Sequence, residues 1–392
     1  MQGYPIYILI LMAVVLFAWL VQLFLQLTIQ HKVLVRCKAE KDLKKASSSE
    51  GKPGVSVVVY AHNQGDALLR NLPSLLDNDY PDFEVIVVDD TSSDDTQDVL
   101  TIMEQRSDNL FHTRLTDKVK TMSHRKLALL LGVKAAHNEI IITTKAQCVP
   151  ASKDWISSIV RNFNPEIDFV IAPVVFEGRV GVIARFCQFD LFQRMVSMFG
   201  ITMSFRPFAG WGSNLAFRKH LLFDDNNKAF SRQLFIHPGE DDLMVAAMAR
   251  HNNVAVECTP ESMIVDQESP LSRAWSRDRV NRAFTAKRYS AVYKIITFVD
   301  YTTRYMCVLA GLVVAVWAGI KTLWIEMAVM LALLLIRYAV IATLSYGTSK
   351  ALAIHRYLMS PVIYDLWVPI VDVWFWLRAS VHNNTFYVGR VR

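Results

Sequence analysis

The stretch VSVVVYAHNQGDALLRNLPSLL, residues 55–76, followed by YPDFEVIVVDDTSSDDT, residues 80–96, decides the fold. Residues 55–61 and 83–90 are short runs rich in β-branched residues and read as buried strands, while 67–76 has the apolar spacing of a helix. The alternation continues with EIIITTKA at 139–146 and FVIAPVVF at 169–176, and with helical spacing at 96–105 and 124–136. Strand and helix in turn predict βαβ units and an α/β fold with a mostly parallel sheet. Ligands of such sheets bind beyond the carboxyl ends of the strands, so residues following these runs are the candidates for chemistry.

On either side of this region the composition changes. The chain has 392 residues, 52% of them hydrophobic, and a positive mean hydropathy. That is too apolar for an ordinary soluble enzyme, and the excess lies at the two ends. Residues 4–29 are broken only by Gln22, Gln26 and Thr28, and about 20 apolar residues cross a bilayer. The length of the run and the lack of a basic segment before it favour a retained span over a cleaved signal peptide. Basic residues follow it: His31, Lys32, Arg36, Lys38, Lys41, Lys44 and Lys45. They place this flank in the cytosol, and 46–54, with three serines, Gly51, Pro53 and Gly54, reads as a flexible tether.

Residues 305–320 and 323–344 read as two further apolar helices in a tight membrane hairpin. Glu326 and Arg337 inside the second are expected to face protein or the interface rather than lipid. Residues 361–381 mix Trp367, Trp374, Phe375 and Trp376 with Asp365, Asp372 and Arg378, the pattern of an interfacial helix. This keeps Arg390 and Arg392 on the cytosolic side. Five scattered cysteines, with no CxxC pair, read as reduced thiols rather than zinc ligands. The net charge of +6 is modest and its basic residues lie beside the apolar ends, where anionic headgroups account for them without nucleic acid.

The motifs resemble the family 2 glycosyltransferases of GT-A fold, a Rossmann-like architecture. The resemblance starts in the opening stretch and continues through MSHRKLALLLGVKAAHNEIIITTKAQCVPAS, FAGWGSNLAFRKHLLFD and GEDDL, in family order. It implies a nucleotide-sugar donor held by Ala61, His62 and Asn63 and by Asp89 and Asp90, where a carboxylate can accept a base N–H. Asp89 and Asp90 can also be read as a turn that caps the next helix. Lys126 stands where the family has a lysine near the sugar and diphosphate, and it reads equally as a lysine on a solvated helix face. In Glu240, Asp241 and Asp242 the resemblance implies a general base for inverting transfer. Aligning on the Glu-Asp pair selects Asp241, and aligning on Leu243 selects Glu240. The loop of Trp211, Gly212 and Asn214 corresponds to the acceptor side, with Trp211 offering a flat face.

Two positions depart from the family. Where it carries Asp-x-Asp to hold a divalent metal, usually magnesium or manganese, this chain has Lys145, Ala146 and Gln147. Hard divalent ions prefer carboxylate oxygens, so no metal ligand set is expected, and a lysine ammonium near the diphosphate could offset part of the leaving-group charge. Where processive synthases carry QxxRW, the segment AWSRDRVNRAF at 274–284 has Asp278 and Asn281, which argues against processive synthesis. Arg273, Arg277, Arg279 and Arg282 in and beside this segment suit phosphate or lipid headgroups.

The sequence therefore predicts an N-terminal membrane helix (1–30), a basic linker (31–54), a GT-A domain (55–300), a membrane hairpin (301–345) and a cytosolic or interfacial end (346–392). The expected protein is multi-pass in a bacterial inner membrane, its main domain cytosolic. It would move a single sugar from a nucleotide-sugar to a lipid-linked or envelope acceptor, with membrane lipids and envelope proteins as partners. The other reading is a catalytically inactive scaffold or binding subunit of an envelope complex.

Overall fold

The computed structural model describes residues 6–43, 52–116, 123–178, 181–223, 230, 233–234, 236, 238–268 and 273–381, the side chains of 40–43, 273 and 274 excepted. Lys41, Lys44, Lys45, Arg273, Arg390, Arg392 and most of the tether at 46–54 thus fall wholly or in their side chains outside this description. The chain opens with α1 (Ile6–Leu25), which continues through a π-helical turn (Gln26–His31) into α2 (Lys32–Leu43). The α/β region follows as β1 (Val55–Ala61), α3 (Gly65–Leu76), β2 (Phe83–Asp89), α4 (Thr96–Glu104), β3 (Leu110–Arg114), α5 (His124–Ala135), β4 (Ile140–Lys145) and β5 (Cys148–Pro150). Then come α6 (Trp155–Val160), β6 (Phe169–Ile171), β7 (Val174–Phe176), the long α7 (Val182–Ser204), β8 (Leu215–Arg218), α8 (His220–Phe223), α9 (Asp242–Met248), β9 (Val254–Val256) and β10 (Ile264–Asp266).

Seven strands form one sheet in the order β3-β2-β1-β4-β8-β6-β9. Strands β3, β2, β1 and β4 run parallel, as do β6 and β9, whereas β8 is antiparallel to both its neighbours. The sheet is mostly parallel, as its sequence pattern predicts, with one reversed strand. The run 169–176 is not one strand. It breaks at Ala172–Pro173 into β6, in the large sheet, and β7, which joins β10 and β5 in a second sheet. Proline lacks the N–H that a continuing ladder requires.

Both faces of the central strands are buried. Val57 and Val59 of β1 pack with Leu68 and Leu72 of α3 and Trp155 of α6, while Val58 points into a second core with Ala128 of α5 and Phe189 of α7. This two-sided burial is why the strands read as continuous apolar runs. The second core also takes Leu25, Ile29, Val33 and Cys37 from the N-terminal helix. Gly200 of α7 makes that contact close: a Cβ there would lie 2.6 Å from the Ile29 carbonyl oxygen.

After β10 the chain is helical: α10 (Arg273–Thr285), α11 (Ala291–Tyr305), a π-helical turn (Met306–Ala310), α12 (Gly311–Ile320), α13 (Trp324–Ala351), α14 (Ser360–Tyr364) and α15 (Trp367–Val381). Among the described residues three helices are long and apolar enough to cross a membrane, Ile6–Ala39, Ala291–Ile320 and Trp324–Ala351. Each extends beyond its apolar run, because the added turns pack on the α/β region or on α10. Arg337 of α13 donates to Asp365 at 2.7 Å and to Gln22 at 3.2 Å, and Arg304 lies 3.3 Å from Asp365 and 2.5 Å from Asp300. Two arginines and two aspartates thus balance within this polar knot, and Arg337 faces protein.

Candidate active site

Register alone brings three strand ends together: Ala61 lies beside Asp89, and Tyr60 beside Lys145. The turns after β1 and β2 are mutually bonded. Asn63 N–H donates to Ser92 Oγ at 2.8 Å, Ser93 N–H donates to Asn63 Oδ1 at 2.8 Å, and His62 Nδ1 lies 2.6 Å from the Asp90 carbonyl. Asn63 and Thr91 have φ of 50° and 52°. A β-branched threonine in the left-handed region is strained, and such strain persists only where its surroundings over-determine it. Asp89 accepts the Ser92 N–H at 3.0 Å and faces Arg114 at 3.3 Å. Asp90 accepts from the Tyr60 hydroxyl at 2.7 Å and lies 2.8 Å from His124. Asp89 thus holds the turn after β2, but the pair does not cap the next helix: α4 has Asp95 at its N-cap, and the Thr96 N–H donates to Asp94 Oδ1 at 3.2 Å.

A narrow cleft of about 50 Å³ lies between these strand ends and α9, bordered by Tyr60, Arg125, Lys145, Gly212, Glu240 and Asp241. The first residue of α9 and the two before it supply the acid groups. Asp241 caps the helix, accepting the Asp242 N–H at 2.8 Å on Oδ1 and the Gly212 N–H at 2.7 Å on Oδ2. Arg282 of α10 lies 3.5 Å from the same Oδ2. Glu240 pairs with Arg125 at 3.1 Å. Burial alone would raise the Glu240 carboxyl, but Arg125, a backbone N–H and Lys145 outweigh it and hold it below its ordinary value.

Asp242 is of another kind. It is 2% exposed and accepts the hydroxyls of Thr285 and Tyr289, both at 2.5 Å. Burial, then the charge of Asp241, push it up to about 6 against Arg282 and the two hydroxyls. The three acids thus divide: Asp241 and Glu240 border the cleft, and Asp242 is locked beneath it.

Lys145 stands among carboxylates drawn from distant segments. Its charge acts on Glu240, on Asp266 of β10 and on Asp278 of α10. Burial pushes Asp266 up to about 6, with Lys145 offsetting part of the rise, while Arg282, Arg194 and Lys145 overcome burial at Asp278 and hold it well below the usual range. Gln147 turns elsewhere and accepts from Gln64 Nε2 at 2.9 Å. A divalent ion does not fit this strand end: Lys145 brings a cation where a carboxylate would be needed, and Gln147 offers a neutral oxygen already bonded. Among the described residues no group of three or more His, Cys, Asp or Glu is poised to hold a metal.

Several positions named by the family resemblance are committed to structure. Lys126 is fully buried and donates to the carbonyls of Gln233 and Ile236 at 2.8 and 2.9 Å. Burial brings its ammonium down to about 8, against the raising effect of Glu240, Asp242 and Asp241. Its neighbour Arg125 is the cation that borders the cleft, 5.3 Å above the Tyr60 ring. Asn214 is fully buried, accepting from Trp155 Nε1 at 3.1 Å and donating to the Pro173 and Ser262 carbonyls. Trp211 is 5% exposed, with the guanidinium groups of Arg282 and Arg194 at 4.8 and 5.8 Å from its ring. It therefore holds α10 and α7 to the loop and presents no open face.

An α/β sheet with strained turns at its strand ends and a capped acidic turn across a cleft is the layout of the GT-A fold. Residues 56–219 match the family model for glycosyl transferase family 2, and the chain carries a family 2 glycosyltransferase domain. Among solved structures it resembles a mannosyltransferase from Pyrobaculum calidifontis, solved with GDP-Man and Mn2+, at 17% identity and a TM-score of 0.50, covering 93% of this chain and 98% of that one. S. aureus TarS, solved with UDP-GlcNAc, matches at 14% identity and a TM-score of 0.38 over 84% of this chain and 91% of that one. Glucosyl-3-phosphoglycerate synthase of Mycobacterium tuberculosis matches at 15% and 0.34 over 52% and 69%. Such identities speak for the fold alone. No curated protein matches the chain in sequence.

Proposed function

We propose that the protein is a membrane-bound glycosyltransferase that moves one sugar from a nucleotide-sugar donor to a membrane or envelope acceptor, with inversion and without processive addition. The observation that carries this reading is the position of Asp241. Its carboxylate borders the same cleft as Lys145 and Arg125 and is aimed by the Gly212 and Asp242 amides.

In this reading the donor lies over the ends of β1, β2 and β4, with its base toward His62, Asn63, Asp89 and Asp90. Asp241 takes the proton of the acceptor hydroxyl, whose oxygen attacks the anomeric carbon from the side opposite the diphosphate. The bond from that carbon to the diphosphate oxygen breaks and its electron pair leaves with the nucleotide. Lys145 and Arg125 supply fixed positive charge near the departing oxygens, where preorganised cations stabilise developing negative charge. Glu240, held ionised by Arg125, adds to the field rather than moving the proton. The three apolar helices and the basic residues after the first support a membrane location with the catalytic domain cytosolic, in a bacterial inner membrane.

The test is titration of the detergent-solubilised full chain with a panel of nucleotide sugars, with and without manganese, together with donor hydrolysis. Binding and turnover that do not need manganese, with turnover lost in Asp241→Asn, are expected. No binding to any donor overturns the reading. Donor binding without turnover towards any acceptor would favour the second reading, a non-catalytic subunit of an envelope complex, which the replaced strand-end carboxylates at Lys145 and Gln147 motivate.

A further inference from the structure

Helix α7 is largely buried, yet it opens with two apolar residues in the open: Val182 and Ile183 are 76% and 67% exposed. Their depth can be read from their neighbours. Tyr364 packs on Phe186 with ring centroids 5.0 Å apart, and its hydroxyl donates to the Val182 carbonyl at 3.5 Å. The next residue, Asp365, is bonded to Arg337, which also reaches Gln22. Gln22 belongs to the apolar helix Ile6–Ala39 and Arg337 to Trp324–Ala351.

At its other end α7 meets the same N-terminal helix further along. Ser204 donates to the Thr28 carbonyl at 2.7 Å, and Lys32 Nζ donates to the Met203 carbonyl at 2.6 Å. Six residues of helix from Gln22 to Thr28 rise about 9 Å. Helix α7 is therefore inclined, and its first turn sits at the level of Gln22 while its last turn lies on the basic side. Beside that first turn the outer face of α14 and α15 shows Ile363, Trp367, Ile370 and Trp374, 50–62% exposed. Arg185 is exposed one turn above, and the Arg277 side chain is 59% exposed. An apolar tip with aromatic residues alongside and cations above it matches the lipid–water boundary of an anionic leaflet.

We propose that the first turn of α7, together with the outer face of α14 and α15, is inserted into the leaflet on the side of the catalytic domain. The proposal rests on the membrane reading given above. It makes α7 a ruler between bilayer and site. Arg194, which touches Trp211 and Asp278, is eleven residues beyond Ile183, about 16 Å along the helix. An acceptor that stays in the leaflet must bridge that rise and the further step from Arg194 past Trp211 to the cleft, which fits an amphiphile with an extended polar headgroup.

The experiment is depth measurement by spin-label accessibility on the full chain in phosphatidylcholine–phosphatidylglycerol vesicles. Nitroxides are attached at Ile183→Cys, at Trp374→Cys as a second site, at Leu16→Cys in α1 as a lipid reference and at Leu69→Cys on α3 as an aqueous reference. The signal of the unsubstituted chain is subtracted. Oxygen-favoured relaxation at 183 and 374, like that at 16, is the expected result. Relaxation by a water-soluble nickel complex at 183, as at 69, overturns the proposal, and so does shielding from both reagents, which would mean that protein covers the tip. A water-exposed label at 16 would instead overturn the membrane reading itself.

Discussion

Asp241 Oδ2 accepts the backbone N–H of Gly212 at 2.7 Å, joining the turn before α9 to the loop before β8 where both border the cleft. This contact fixes the direction of the carboxylate, because Oδ1 is already taken by the helix cap. Asp241→Asn is expected to lower transfer by about 10²- to 10⁴-fold, the range for loss of a general base, with donor affinity little changed. Steady-state transfer beside donor titration checks it, and equal losses in both would contradict the role.

Gly212→Ala probes the same contact from the other side. A Cβ at 212 would sit 3.1 Å from Asp241 Cβ and 3.3 Å from Oδ2, so the carboxylate must turn. A lower kcat with unchanged donor affinity is expected, and a variant with wild-type kcat would show that the aim of Asp241 does not matter.

Asp242 should leave a signature in stability against pH. Its carboxyl is raised from 3.8 to about 6 in the native state, so the folded chain holds that proton more tightly than the unfolded chain. The contribution to stability is then greatest at low pH, falls as pH rises from about 4 to about 6, and is constant above. Asp242→Asn keeps an acceptor oxygen for Thr285 and Tyr289 and removes the titration. It should gain on the unsubstituted protein across that window, by about 3 kcal/mol at most. Thermal unfolding in detergent from pH 4 to 8 measures the difference, and a gap independent of pH would refute the assignment.

Lys145→Asp combined with Gln147→Asp restores two carboxylates at the end of β4. The double variant is expected to bind nucleotide sugar more tightly with manganese than without it, and the native chain is expected to show no such dependence. Calorimetric titration with and without the ion decides, and an unchanged metal response in the variant would mean that the strand end no longer faces the diphosphate.

Among the long apolar helices, Arg337→Ala leaves Asp365 short of one of its two arginines. Loss of one member of a buried ion pair costs roughly 3–5 kcal/mol, so a marked fall in unfolding temperature is expected. Arg337→Leu with Asp365→Leu keeps the charges balanced and should lose less. A double variant as unstable as the single one would contradict the balance.

Much of the large sheet was legible because its central strands are buried on both faces, which writes valine and isoleucine runs into 55–61, 83–89 and 140–145. The break at Pro173 was also visible in principle, but a two-residue gap between two apolar triplets looks like one strand until their partners are known. The site was harder. Arg125 and Lys126 are neighbours on a helix, their side chains about 100° apart, and nothing local says which faces the cleft. The apolar face of Trp211 invited a stacking role, whereas Arg194 and Arg282, 17 and 71 residues away, cover it. Asp266 carries no motif, Asp278 stands out only as a departure from one, and both reach Lys145 only through the tertiary fold.

The contact of Gly200 with Ile29 bears on how the molecule is made. Ile29, Val33 and Cys37 before the sheet, and Ala351, Leu352 and Tyr357 after it, complete one core of the α/β region. That core cannot close during synthesis until more than three hundred later residues have followed the first helix. Until then the inner face of α7 lacks its cover, so the α/β region can complete its folding only once the last long helix has been made.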